Sequence, residues 1–183
     1  MWGVWESAHG IILRLTKLTD TSLIVRWSTR EHGLIETVAK GARSPKSRFA
    51  GKLDLFFAAD LDWQRSSKGS LHHLRECSVT DFREGLRRDY NTMLLAGYCC
   101  GLFEQISEAE HAQEEMHDLL HRALIHLSEK GASLKAMRHF ERELARLHGV
   151  GRDRGEAYTD LAHLGASLPQ CRNQLQQRLR ECP

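Results

Sequence analysis

The chain of 183 residues is 41% hydrophobic and 27% charged, a balance that is typical of one or two small globular domains and excludes a disordered or fibrous protein. Its formal net charge is only +2, but basic residues outnumber acidic ones in residues 1–80 and the reverse holds in residues 81–148. The longest segment without a charged side chain, residues 90–103, is shorter than the roughly 20 apolar residues of a membrane-spanning helix. We therefore expect no membrane helix.

Up to about residue 80, apolar residues recur with the period of a β-strand. Between residues 53 and 63, apolar side chains alternate with a face that carries three aspartates, as a half-buried strand requires. Trp27 and Trp63 lie on apolar strand faces, so we expect both in the core. Trp2 and Trp5 precede the first strand, and the sequence does not determine their surroundings. The five predicted strands, which indicate a small barrel, are residues 10–15, 23–27, 34–39, 53–63 and 70–79.

Beyond residue 80 the apolar period becomes that of a helix, so we predict an α+β protein with two domains, residues 1–80 and residues 81–183. Asp81 followed by Glu84 fits a capping box at the start of the helical part. Residues 90–106 are apolar nearly all round, which predicts a helix at the centre of a bundle. The other predicted segments are two amphipathic helices, residues 116–127 and 134–147, a glycine-rich loop, residues 149–155, and a short terminal helix, residues 173–181.

The histidines offer a possible metal site, which the residue pattern argues against. Glu114, His117 and His121 have the Glu-x-x-His spacing of carboxylate-bridged metal bundles, but on a helical wheel they point away from the apolar stripe. His72 and His73 are adjacent in a strand and face opposite sides of it, so they do not form a chelate. The sequence contains no nucleophile elbow, phosphate-binding glycine motif or paired catalytic carboxylates. We therefore predict a binding protein rather than an enzyme, without a metal or cofactor.

The cysteines and the N-terminal residues favour the reducing cytoplasm. Five cysteines, an odd number without a C-x-x-C pair, predict reduced thiols rather than disulfides or a four-cysteine zinc site. Glu6, His9 and Arg14 interrupt the apolar run that a signal peptide needs, so we expect a cytoplasmic protein.

Residues 40–52, here called the basic loop, hold five cations and no acid. Glycine, serine and proline keep this segment out of regular structure, so its cations project from a loop between two strands and can follow a phosphate backbone. Loops of small barrels commonly bind single-stranded nucleic acid through a positive groove and aromatic platforms, and we expect Phe49 to stack on a base. Composition alone also allows an acidic protein partner. The five cations are Lys40, Arg43, Lys46, Arg48 and Lys52.

Four segments of the barrel region and one of the helical region follow a recognisable family pattern. The segments are Gly10-Ile-Ile-Leu13, Asp20-x-Ser22-Leu23-Ile24-Val25, Thr29-Arg-Glu-His-Gly33-Leu34, Val38-Ala-Lys-Gly-Ala-Arg-Ser-Pro-Lys-Ser-Arg-Phe49 and Arg138-His-Phe140-Glu141-x-x-Leu144-x-x-Leu147-His-Gly149. They are similar to the RecO family of bacterial recombination mediator and DNA repair proteins, and residues 38–49 are the most specific of them. The resemblance covers about residues 9–149.

The resemblance implies an OB-fold barrel that binds single- and double-stranded DNA without ATP and anneals complementary strands. It also implies that the protein remodels single-strand-binding protein so that RecA can load, with RecR as a partner and the nucleoid as its place in the cytoplasm. The DNA-contacting candidates in the matching motif are Lys40, Arg43, Lys46 and Arg48, to which Arg26, Arg30 and Lys52 are added from charge and position.

The chain departs from the family in its cysteines and its length. Many members carry two C-x-x-C pairs after the helical segment, whereas this chain has only Cys171 and Cys182 there, so zinc is not expected. The chain is also shorter than a usual member. For the acidic, apolar-ended tail of single-strand-binding protein we expect a groove in the helical part flanked by Arg138, Arg142 or Arg146. The alternative function is a protein adaptor that binds RecR or single-strand-binding protein with little DNA affinity of its own.

Overall fold

The computed structural model describes residues 4–150, 157–164 and 169–181. These residues form two compact units. The barrel unit contains the described chain up to Phe82 together with Glu108–Glu114, and the helical unit contains Arg83–Ser107 and the described chain from Glu115 onward. Residues 108–114, which the sequence placed in the helical part, therefore lie with the barrel.

The barrel unit is a closed five-stranded barrel, as the sequence predicts. The strands are β1 (Trp5–Lys17), β2 (Leu23–Thr29), β3 (Gly33–Ala39), β4 (Ala58–Gln64) and β5 (Leu71–Asp81). Their order around the barrel is β1-β2-β3-β5-β4, in which β3 and β5 pair in parallel and the other neighbours are antiparallel. This arrangement is that of an OB-like barrel.

Alternating strand residues fill the barrel with an apolar core. Trp27 and Trp63 are both 0% exposed, as their strand faces predict, and they pack with apolar side chains from all five strands. The indole N–H of Trp27 donates to Oγ1 of Thr37 at 2.9 Å, so its burial leaves no unpaired donor. Asp60 and Asp62 remain exposed on the outer face of β4.

Strand β4 begins later than the alternation of residues 53–63 predicts. It starts at Ala58, because Phe56 adopts a left-handed conformation (φ 71°) that an extended strand does not allow. The Phe56 N–H donates to the carbonyl of Ile12 at 2.8 Å, and the Phe57 carbonyl accepts from the Ile12 N–H at 3.0 Å. Phe56 and Phe57 are both buried, so apolar alternation alone did not distinguish this turn from a strand.

Residues 108–114 lie against the start of β3. Leu34 and Ala109 form an isolated parallel bridge, and the N–H of Glu110 donates to the Leu34 carbonyl at 3.0 Å. Gly33, next to this bridge, has a φ of +65°, and a Cβ there would lie 1.9 Å from the carbonyl oxygen of His111. Both the backbone conformation and the close approach therefore require glycine.

We expect Gly33→Ala to destabilise the barrel by about 1–3 kcal/mol, because it adds backbone strain and displaces residues 108–114. Gly41→Ala is the matched control, since Gly41 has a similar φ (+72°) but its Cβ would meet only the Ser44 Oγ, at 3.9 Å. Urea unfolding followed by tryptophan fluorescence reports on the barrel, because all four tryptophans precede residue 64. Equal losses for the two variants would contradict the predicted clash.

Five α-helices follow the barrel strands in the described residues. They are α1 (Tyr90–Ile106), α2 (Glu114–Lys130), α3 (Leu134–Leu147), α4 (Ala157–Ala162) and α5 (Arg172–Glu181). Helix α1 has the predicted bounds, and Met137, Phe140 and Leu144 of α3 are buried as its apolar stripe predicts. Helix α4 was missed, because six residues are too few to show a helical period. Residues 151–156, in and just after the predicted glycine-rich loop, lie outside the described chain, and no described helix is long and apolar enough to cross a membrane.

The helical part does not begin with the predicted capping box of Asp81 and Glu84. Instead Glu84 starts a short 3-10 helix, Glu84–Arg87, after Arg83, which is left-handed (φ 46°) and makes no side-chain cap bond. Helix α1 is capped by Asp89, whose carboxylate accepts from the Thr92 N–H at 2.9 Å. Hydrogen bonds from the Thr92 side chain and backbone lower the pKa of Asp89, which keeps the cap charged.

A buried ion pair joins three helices of the helical unit. Glu141 of α3 accepts two hydrogen bonds from the Arg172 guanidinium of α5, at 2.7 and 2.9 Å, and a third from the Tyr98 hydroxyl of α1, at 2.6 Å. Glu141 is 2% exposed and Arg172 is 6% exposed. The guanidinium also lies 4.1 Å from the ring centroid of Tyr158 in α4. Burial and the neighbouring carboxylate raise the pKa of Tyr98, so its hydroxyl stays protonated and donates.

His72 of β5 is buried in the barrel unit, whereas His73 is partly exposed. Nδ1 of His72 accepts a hydrogen bond from the Ser66 N–H at 3.3 Å, so the ring proton lies on Nε2. Nε2 is 3.9 Å from Oε1 of Glu110. Burial lowers the pKa of His72 below 6.5, and Glu110 opposes that effect. The other charged groups that act on it are Arg65, Glu6 and His32.

We expect the barrel to lose stability as the pH falls below about 6.5, because the unfolded chain binds a proton that the buried His72 ring resists. His72→Gln should remove this part of the pH dependence, and His126→Gln, at an exposed position of α2, should leave it in place. Urea midpoints from tryptophan fluorescence between about pH 7.5 and 5 test this. A dependence in His72→Gln as steep as in the unmodified chain would assign the effect to another group.

Candidate nucleic-acid interface

The basic loop, which joins β3 to β4, is a chain of tight turns. Backbone N–H groups donate to carbonyls three residues earlier at five places along it. These bonds are Ala42 to Ala39 (3.3 Å), Ser44 to Gly41 (3.0 Å), Ser47 to Ser44 (3.0 Å), Ala50 to Ser47 (3.2 Å) and Lys52 to Phe49 (3.0 Å). The loop has no regular secondary structure, yet its own hydrogen bonds hold its cations in a defined arrangement, which lowers the ordering entropy that binding would cost.

Other parts of the barrel unit anchor both ends of the loop. The Arg43 N–H donates to the carbonyl of Thr21 at 2.9 Å, and its Nη1 donates to the carbonyl of Asp20 at 3.1 Å. At the far end, the Cys77 thiol donates to the carbonyl of Lys52 at 3.8 Å. Burial raises the pKa of Cys77 to about 11, so the thiol keeps its proton. Part of the Arg43 guanidinium thus contributes to holding the loop against the barrel.

Phe49 is not the exposed base-stacking ring that its place among the cations predicts. It is 2% exposed and belongs to the barrel core, so it pins the middle of the loop to the barrel. The Arg48 guanidinium lies 4.8 Å from the Phe49 ring centroid. Phe49 therefore anchors the loop to the barrel core and orients Arg48. Because the ring is buried, it is not available to a base.

The loop's cations are available for a ligand. Lys40, Arg43, Lys46 and Arg48 are exposed and Lys52 is partly exposed. Among residues whose positions are described, no carboxylate lies within ion-pair distance of any of the five. In the described chain these five positive charges lack a carboxylate within ion-pair distance, and on a preorganised loop they form a surface that favours a polyanion.

Arg26 and Arg30, the two candidates added from charge and position, differ from the loop cations. Arg26 Nε lies 3.0 Å from a carboxylate oxygen of Glu36 on the adjacent strand, and Arg30 Nη2 lies 3.4 Å from one of Glu114. A phosphate at either position would compete with an existing carboxylate. Both arginines are therefore weaker candidates than the loop cations, because strand pairing brings an acid beside Arg26 and residues 108–114 bring one beside Arg30.

The helical unit contains an apolar cleft of about 680 Å³ between α1, α2 and α3. Its apolar lining includes Leu95, Leu119, Leu127 and Phe140, and its charged lining residues are Arg122, Lys135 and Glu143. Of the three arginines expected beside such a groove, Arg138 and Arg142 are exposed on α3 outside this lining, and Arg146 lies 3.1 Å from Glu143 beside a neighbouring pocket.

His117 is buried, at 3% exposure, although the helical wheel placed it on the outer face of α2. His117 stacks on His121 with ring centroids 6.3 Å apart, and Nη2 of Arg83 lies 3.0 Å from Nδ1 of His121 on that face. A guanidinium at that distance would repel a metal cation. Within the described residues no three potential ligands group as a metal site.

The comparison with known proteins agrees with this barrel. The family "Recombination protein O N terminal" matches residues 4–83. "DNA repair protein RecO" of Syntrophotalea carbinolica is 32% identical over 143 residues, which cover 78% of this chain and 55% of that protein. The protein of the same name from Syntrophus aciditrophicus is 30% identical over 144 residues, 79% of this chain and 56% of that protein.

A third protein of that name, from Gloeobacter violaceus, is 34% identical over 134 residues, which cover 73% of this chain and 49% of that protein. The chain thus spans about half the length of the curated relatives that it matches. These alignments are longer than the barrel, so the similarity extends into the helices. By its OB-like barrel, the match over that barrel and its similarity to these repair proteins, the chain belongs to the RecO family.

Proposed function

We propose that this chain binds DNA through the basic loop and acts in DNA repair and recombination. The observation that carries the proposal is the set of five cations on a preorganised barrel loop, none with a carboxylate partner in the described chain. Family membership supplies the biological setting, since the relatives are named as DNA repair proteins. Phosphate contacts of this kind give affinity without base sequence preference, which suits a protein that must act wherever a strand is exposed.

The finer activity that we propose is that of a recombination mediator without enzymatic turnover. It binds single- and double-stranded DNA, anneals complementary strands and helps RecA to load onto strands coated by single-strand-binding protein. RecR and single-strand-binding protein are its proposed protein partners, and the nucleoid is its proposed location. Family resemblance supports these points, and the basic loop supports the DNA contact on which all of them depend.

The direct test is fluorescence anisotropy of a labelled single-stranded oligonucleotide titrated with the protein across a salt series. If all five loop cations neutralise phosphates, the logarithm of the binding constant should fall with the logarithm of salt concentration with a slope of about −3.5. A slope near zero, or no binding at low salt, would reject the proposal.

A protein adaptor is the second candidate function, and the apolar cleft favours it. A cleft lined by apolar side chains together with Arg122 and Lys135 suits a peptide that is acidic and ends in an apolar residue, as the tail of single-strand-binding protein does. Capture of single-strand-binding protein, together with no change in the electrophoretic mobility of single-stranded DNA, would support the adaptor function over DNA binding. A peptide with that tail chemistry that fails to bind would argue against it.

A further inference from the structure

A pocket of about 400 Å³ lies on the outer surface of the barrel and shares Arg48 with the basic loop. We call it the Trp5 pocket. Its other residues were not candidates from the sequence, because they come from three strands that are far apart in the chain. The residues that matter here are Trp5, Ser7, Arg48, Asp62, Arg75 and Glu76.

Trp5 is 52% exposed, unlike Trp27 and Trp63, which are both 0% exposed. It pairs with Gln64 at the end of the β1–β4 ladder and lies on the outer face, two residues before the exposed Ser7. The Trp5 indole is therefore not part of the apolar core of the barrel. A large, stiff aromatic ring held at the surface by a strand loses little entropy on binding, and such rings are enriched where proteins contact other molecules.

A β-bulge brings Arg75 to the same ring. Asp62 of β4 pairs with Glu76 of β5, but the next residue, Trp63, pairs with Leu74, so Arg75 is the extra residue of the bulge. Its guanidinium carbon lies 4.8 Å from the Trp5 ring centroid. Bulges commonly change the direction of a side chain. Here the bulge places the Arg75 guanidinium in a cation–π contact with the exposed Trp5 indole.

The remaining groups of the pocket accept hydrogen bonds. The Ser7 hydroxyl donates to the Asp62 carboxylate at 2.5 Å, which leaves the other carboxylate oxygen and Glu76 as acceptors. Glu6 also lines the pocket, but its carboxylate lies 2.9 Å from Nε of Arg65. Carboxylates repel phosphates and accept from the amino groups of nucleobases. The pocket therefore suits a flat base, while Arg48 at its edge continues into the loop that suits the phosphates.

We propose that Trp5 is a stacking platform for one unpaired nucleobase of the strand whose phosphates the basic loop contacts. Arg75 supports the indole and extends the stack, and Asp62 and Glu76 accept from base N–H groups, such as N3–H of thymine. This inference rests on the proposed function, since it places a base next to the DNA phosphates that the basic loop is proposed to bind. It assigns base contact to the outer surface of β1, β4 and β5, after Phe49 proved to be buried.

Abasic oligonucleotides separate the two proposals. We expect Trp5→Ala to weaken binding of an oligothymidylate about fivefold, the low end of what one stacked base contributes. Its salt slope should be unchanged, because no phosphate contact is lost, and its affinity for an abasic backbone of equal length should equal that of the unmodified chain. Trp5→Phe should retain most of the binding. Tyr90→Ala is the matched control: Tyr90 is 63% exposed with its ring centroid 5.3 Å from the Arg178 guanidinium, in the helical unit.

The binding of the Trp5→Ala variant has three informative outcomes. If Trp5→Ala binds oligothymidylate as tightly as the unmodified chain, the platform is rejected while salt-dependent binding by the unmodified chain upholds the proposed function. If Trp5→Ala weakens abasic and thymidylate binding equally, the residue acts through the fold and the platform is again rejected. If the unmodified chain binds neither oligonucleotide, both proposals fail.

Discussion

Replacing Lys46 and Arg48 together by glutamine is expected to lower the affinity for single-stranded DNA about 25-fold at 0.1 M salt and to flatten the salt slope by about 1.4. Each lost cation releases about 0.7 fewer counterions on a single strand, and the two losses add because both side chains are exposed on one loop. The Phe49 anchor and the backbone turns do not depend on these charges, so the loop should keep its shape. Anisotropy titrations across a salt series measure both quantities.

A matched pair of substitutions in the helical unit controls for net charge. Lys130→Gln with Arg138→Gln removes the same charge from exposed positions outside the loop and should leave the slope unchanged. Arg26→Gln should have a smaller effect than either loop substitution alone, because Glu36 already lies 3.0 Å from its guanidinium. If the helical pair reduces the slope as much as the loop pair, the DNA surface does not centre on the loop.

Glu141→Leu is expected to lower the free energy of unfolding of the helical unit by about 3–5 kcal/mol, because it leaves the Arg172 guanidinium buried without its carboxylate. The effect is large since Glu141 is 2% exposed and also accepts from the Tyr98 hydroxyl at 2.6 Å. Chemical unfolding followed by the far-ultraviolet helix signal measures it. Tryptophan fluorescence does not, because all four tryptophans precede residue 64.

Two comparisons show whether burial of the charge is the cause. Glu141→Leu with Arg172→Met removes both charges and should recover much of the loss, since replacing a buried pair by apolar residues is often close to neutral. Glu143→Leu breaks an exposed pair, Glu143 with Arg146 at 3.1 Å, and should cost about 0–1 kcal/mol. A double variant as unstable as Glu141→Leu alone would mean that packing, rather than an unpaired charge, accounts for the loss.

The patterns that predicted correctly depend on residues close together in the chain. Strand alternation placed Trp27 and Trp63 in the core, and the helical period placed α1 at Tyr90–Ile106. The basic loop was found because its charges, glycines and proline are consecutive. In each case the physical cause, a backbone period or a turn-forming residue, acts within a few positions, so the order of residues is sufficient to reveal it.

The incorrect predictions concern residues whose surroundings are formed by distant parts of the chain. Phe49 stands among cations, but its ring enters a core formed by all five strands. His117 lies off the apolar stripe of α2, but it is 3% exposed and stacks on His121, which Arg83 contacts from a distant part of the chain. Strand β4 starts only at Ala58, because the left-handed Phe56 turns the chain where apolar alternation had predicted a longer strand.

By itself the sequence determined the five-stranded barrel, the three longer helices and the loop that concentrates the positive charge, but not helix α4 or the start of β4. Only the tertiary structure decided which side chains a ligand can reach. Pairing of β2 with β3 set Glu36 beside Arg26, and the bulge in β5 set Arg75 against Trp5. The reason is that exposure and charge compensation depend on which distant segments come into contact, and strand register and bulges, which residue spacing does not reveal, control those contacts.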